Sequence, residues 1–164
     1  MDADADDGGS SDLTIADTKT VSSATILTLE TGGSGIIKFV GAATLSAGSG
    51  IVIKDAITSY GSAVMDADSA TDGTATGGAL TIETGKTLTS DDNVVITAYD
   101  IDLAGGIDSG SSATIRIHGS KVAQTIGLGG TSGQLTHTPA GSEKYCGVFP
   151  LHTAHSACGH PVIP

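Results

Sequence analysis

The chain has 164 residues, 24 of them Gly, a formal net charge of −11 and seven Lys and Arg in all. That length predicts one domain, and the scarcity of basic side chains argues against nucleic acid and against anionic membrane surfaces, since both are bound by neutralising phosphates. Two Phe, three Tyr and no Trp are too few for a core anchored on large rings, so the core is expected to be thin and built from Ile, Val, Leu and Ala.

The first element, 1–12, is an acidic, Gly/Ser-rich segment opening Met1-Asp2-Ala3-Asp4-Ala5-Asp6-Asp7. It is the opposite of the basic n-region of a signal peptide. Next comes LTIADTKTVSS at 13–23, which recurs as LTIETGKTLTS at 80–90, an offset of 67. Met1 to Asp4 recurs as Met65 to Asp68, an offset of 64, and LTLETG at 27–32 echoes LTIETG at 80–85. A unit of about 65 residues present twice is expected from this self-similarity. Met1 would then be internal to a longer array, and the acidic start would say little about location. The segment 62–70, SAVMDADSA, is the best helix candidate, weakened by its Asp and Ser content.

A shorter period sits inside the long one. Ile15, Ile36 and Ile57 are each 21 apart, as are Leu80 and Ile101, Ile82 and Leu103, Val94 and Ile115, and Ile96 and Ile117. Leu80-Thr81-Ile82-Glu83, Ile101-Asp102-Leu103 and Thr114-Ile115-Arg116-Ile117 alternate apolar and polar, the period of a half-buried strand. Gly-rich punctuation separates these runs, as at Gly48-Ser49-Gly50, Gly77-Gly78 and Gly105-Gly106. The pattern predicts an all-β chain, a right-handed parallel β-helix (β-solenoid) with coils of about 21 residues. An antiparallel sandwich with turns every 8–12 residues is the alternative. The expected organisation is an acidic segment over 1–12, solenoid repeats over 13–140, and a divergent capping segment over 141–164 that holds Tyr145, Phe149, Leu151, Pro150, Pro161 and Pro164.

LTIETGKTLTS (80–90), VVITAYDIDLAG (94–105) and IRIHGSKVAQTIGLGGTSGQLT (115–136) resemble the hemagglutinin-like parallel β-helix repeats of very large secreted and surface adhesin-type proteins. The likeness covers roughly 13–136. It implies secretion or a cell-surface location and a role in rigid spacing or adhesion, and it carries over no catalytic residue.

Residues that could carry chemistry are few. Asp2, Asp4 and Asp6, and again Asp66, Asp68 and Asp72, have the alternate spacing that lets carboxylates converge on Ca²⁺. Asp7 and Leu13 stand where an EF-hand needs Gly and Glu, so the full pattern fails. Cys146, His152, His155, Cys158 and His160 are zinc-type ligands at a spacing of no common zinc module, and a Cys146–Cys158 disulfide is the simpler reading in a secreted protein. The Gly127–Gly133 loop lacks the Lys of a phosphate-binding loop. No nucleophile elbow occurs, and His118 and His137 have no partners spaced for a triad. A carbohydrate-acting β-helix enzyme would need Asp100, Asp102, Asp108 and Arg116 on one face. An ice-binding face would need aligned Thr rows, with Thr14, Thr25, Thr28, Thr81, Thr87, Thr89, Thr97 and Thr114 as candidates. No catalytic, cofactor or metal residue is assigned. The expected role is a structural or adhesive module without catalysis, without membrane insertion and without nucleic acid. Its possible partners are copies of itself end to end, an extracellular glycan, and Ca²⁺ at the acidic turns.

Overall fold

The computed structural model describes Met1, Gly9 and residues 11–70 and 77–121. Every regular element among them is a strand. The chain visits three sheets in turn and then returns to the first. The first circuit is β1 (Leu13–Ile15), β2 (Lys19–Ser23) and β3 (Ile26–Leu29); the second is β4 (Ile37–Phe39), β5 (Ala43–Ala47) and β6 (Gly50–Ile53). The third is β7 (Ile57–Ser59), β8 (Ala63–Asp66) and β9 (Ala79–Ile82), and the fourth is β10 (Thr87–Ser90), β11 (Val94–Ala98) and β12 (Asp100–Leu103). A fifth begins with β13 (Gly106–Ser109) and β14 (Ile115–Gly119). The sheet orders are β1-β4-β7-β10-β13, β2-β5-β8-β11-β14 and β3-β6-β9-β12, and every pairing is parallel. An antiparallel sandwich is thereby set aside, and the architecture is consistent with a β-solenoid. The segment 62–70 holds strand β8 and no helix.

The local sequence explains why each circuit closes. Alternation sends one side chain in and the next out, so the parallel register stacks like on like. Leu13, Ile37, Ile57, Leu88 and Ile107 form one inward column of the first sheet, and all five are buried. Leu29, Ile53, Ile82 and Leu103 do the same in the third. In the second, Leu45, Met65 and Ile96 are fully buried. A circuit only three strands round leaves an interior as wide as facing aliphatic side chains, which is why so few rings are needed.

The register corrects part of the expected periodicity. Leu80 faces Ile101, Ile82 faces Leu103, Val94 faces Ile115 and Ile96 faces Ile117, each at an offset of 21. The earlier series does not hold. Ile15 faces Phe39, an offset of 24, and Ile57 faces Ile37, an offset of 20, while Ile36 lies half-buried before β4. From Ile57 to Leu88 the offset is 31. The strands repeat and the corners vary: 30–36 joins β3 to β4 where 54–56 joins β6 to β7, and 67–78 separates β8 from β9.

The 67-residue repeat is likewise not a structural period. Leu13-Thr14-Ile15 lies in the first sheet, whereas Leu80-Thr81-Ile82 lies in the third. Met65 sits inside β8 of the second sheet, but the Met1 backbone docks on β3 of the third. There its ammonium donates to the Thr28 carbonyl and its carbonyl accepts from Glu30 N–H at 2.9 Å. A strand, a polar corner and a second strand satisfy the same alternation at any corner of the prism, so one phrase serves two places. The LTLETG echo does keep register, since Leu27, Ile51 and Leu80 share a column.

Candidate functional site

Most of the polar chemistry among the described residues ties one circuit to the next. Lys38 on β4 pairs with Asp12 just before β1, and at the corner leading from the third sheet to the first Lys54 Nζ lies 3.0 Å from Glu30 Oε2 and Lys86 Nζ lies 2.6 Å from Asp55 Oδ1. Asp55 is buried and also accepts from Thr31 N–H at 2.8 Å, while the Thr31 hydroxyl donates to the Gly35 carbonyl at 2.9 Å. Burial pushes the Asp55 carboxyl up, but hydrogen bonds from Lys86 and from the Thr31 N–H outweigh it and hold it below the usual carboxylate range. Asp12 is lowered by its bonds from Lys38 and the Ile36 N–H. These corner pairs were not singled out in the sequence. The available signal was the alternation of sign at successive corners, Glu30, Lys54-Asp55 and Lys86.

The Asp55 contacts set a pH dependence. A carboxyl whose folded pKa is depressed stabilises the fold at pH values above its unfolded pKa, near 3.9. That stability is lost as pH falls from there through the folded pKa. Urea midpoints should therefore hold between neutrality and about pH 5 and decline below about pH 4. Asp55→Asn should lower the stability at neutral pH, by about 1–2 kcal/mol for a lost charge-assisted pair, and should flatten the acid limb. A variant whose acid limb is as steep as the parent's would show that Asp55 is not the group responsible.

Other sequence candidates are scattered. Asp100 and Asp102 stand on β12 of the third sheet, Asp108 on β13 of the first and Arg116 on β14 of the second, so the fold places them on three sheets and not along one groove. Asp66 Oδ1 accepts from Asp68 N–H at 3.3 Å, and the Asp68 carboxylate is held by the Ser120 hydroxyl and by Lys121 Nζ at 3.3 Å. No group of three His, Cys, Asp or Glu converges among the described residues. Asp2, Asp4, Asp6, Asp72, the Gly127–Gly133 loop, His137, the Cys146 to His160 cluster and the 141–164 cap lie outside the described residues.

Among the described residues the threonines form no continuous row. Outward in the first sheet the column reads Thr14, Lys38, Thr58, Thr89, Asp108, and in the third Thr28, Val52, Thr81, Asp102. Thr87 is at the start of β10, Thr97 is outward in β11, and Thr25 and Thr114 lie in corners.

One depression of about 200 Å³ is lined by Asn93, Val95, Thr114 and Arg116. Parallel register places Val95 beside Arg116 and Thr97 beside His118 on the outward face of the second sheet. Asn93 Oδ1 accepts from the Thr114 N–H at 2.9 Å and from its hydroxyl at 2.7 Å. No family model, no curated protein and no solved structure matches the chain.

Proposed function

We propose that the chain is a structural or adhesive repeat module of a secreted or cell-surface protein, a right-handed β-solenoid without a catalytic site. The observation that carries this reading is the continuity of the parallel stack. The inward columns are apolar from circuit to circuit, apart from the buried Ser59 and Ser90 of the first sheet, and ion pairs bridge successive circuits. Such a stack is stiff along its axis because each circuit is hydrogen-bonded to the next, and five strands at about 4.8 Å spacing make a rod on the order of 20 Å long. Right-handedness follows the strong preference of parallel crossovers. The basic coil is about 20–21 residues, lengthened at two corners. The dispersal of Asp100, Asp102, Asp108 and Arg116 over three sheets supports a non-catalytic role.

The test uses the purified chain in two assays. It is incubated with neutral and acidic polysaccharides while reducing ends are followed, and it is added to an ice-recrystallisation assay. The structural reading expects neither sugar release nor inhibition of recrystallisation. Sustained release of reducing ends would replace it with a glycan-acting enzyme, and inhibition would replace it with an ice-binding solenoid.

A further inference from the structure

We propose that the depression at Asn93, Val95, Thr114 and Arg116 is a binding subsite for a single carboxylate, of the kind an acidic sugar carries. Among the described residues, Lys38, Lys54, Lys86 and Lys121 are committed to carboxylates. Arg116 is the chain's sole arginine, and it has no hydrogen-bond or ion-pair partner among those residues. Its side chain is exposed on β14, at the edge of the depression. A guanidinium presents a planar fork of N–H donors that matches the two oxygens of a carboxylate.

The second contribution is a fixed amide. A backbone N–H can only donate, so the Asn93 atom facing Thr114 N–H is Oδ1, and the same oxygen takes the Thr114 hydroxyl proton. That leaves the two Nδ2 hydrogens as donors, held by an anchored side chain. The carboxylate of Asp92, next in the chain, is turned back onto the Asn93 N–H at 2.7 Å. The depression is therefore rimmed by the donors of Arg116 and Asn93, with the Val95 methyls as an apolar wall and the Thr114 oxygen as an acceptor for a hydroxyl.

Size and charge narrow the ligand. About 200 Å³ is below the roughly 300–1,000 Å³ of drug-sized pockets, so the subsite takes one small group or one ring. A chain of net charge −11 repels dense polyanions at long range. The fitting ligand carries isolated carboxylates, either on a uronic-acid ring or on a simple carboxylic acid. This inference stands whether or not the module is adhesive, because it concerns binding alone.

The experiment is a titration of the isotopically labelled chain by NMR, following the Arg116 Nε–H and Asn93 Nδ2–H₂ signals. Glucuronate, acetate and glucose are the probes, and Arg116→Gln is the variant, with its backbone spectrum as the check on folding. Saturable shifts with glucuronate at a dissociation constant of order millimolar, about −4 kcal/mol, are expected, with no saturation by glucose and no response in the variant. Tighter binding of glucuronate than of acetate assigns the sugar as the source, and equal binding assigns the carboxylate alone; both support the subsite. Absence of saturable shifts with either carboxylate, equal saturation by glucose, or unchanged binding by Arg116→Gln overturns it.

Discussion

Gly48→Val is expected to cost more than about 4 kcal/mol, in the range reserved for changes that break a specific structural requirement, and to leave little folded protein. Gly48 turns the corner between β5 and β6, and its N–H donates to the Ser23 carbonyl of the preceding circuit at 3.0 Å. A Cβ at this position would lie on the Ala24 carbonyl oxygen, 3.0 Å from the carbonyl carbon. Those atoms are backbone, so nothing flexible can swing aside. The circuits would have to separate, and separation breaks the ladder hydrogen bonds on either side. Gly85 supplies the contrast. It has φ of 75° and nothing within 4 Å of a Cβ. Gly85→Ala should cost only the left-handed penalty, about 1–2 kcal/mol. Far-ultraviolet circular dichroism with urea unfolding separates the two cases. Equal losses at both positions would mean that circuit spacing is not what demands glycine at 48.

The other large effect is expected at the one ring buried in the core among the described residues. Phe39 is fully buried on β4, between Ile15 and Ser59 in its inward column. The small Ser59 leaves room for the ring and satisfies its own hydroxyl by donating to the Gly61 carbonyl at 2.6 Å. Phe39→Ala should cost about 3–5 kcal/mol, the range for removing a buried aromatic. The upper half is expected because parallel ladders on both sides of β4 hold the backbone apart, so the cavity cannot collapse. Tyr60, on the exposed corner one circuit on, is 58% accessible. Tyr60→Ala should stay within about 0.5 kcal/mol. The measurement is the urea midpoint at unchanged m-value. A Phe39→Ala loss below about 1.5 kcal/mol would show that neighbouring side chains close the gap.

The sequence by itself determined the class of structure. Alternation in runs such as 80–83 and 114–117, Gly-rich breaks and the near-absence of rings allowed only short strands around a thin aliphatic core, and parallel coils were the reading that used all three. The 21-residue spacing was legible where corners are short, from Leu80 to Ile117. Tertiary structure decided the rest. Ile15 stacks on Phe39 and not on Ile36, because register is set by hydrogen bonds between strands, and a corner such as 30–36 can lengthen without disturbing them. The same freedom put LTI of 13–15 and LTI of 80–82 on different sheets. The polar juxtapositions were illegible for a related reason. Asp55 with Lys86 and Asn93 with Thr114 are 31 and 21 residues apart, and only the stacking of whole circuits brings such distant positions within hydrogen-bond reach.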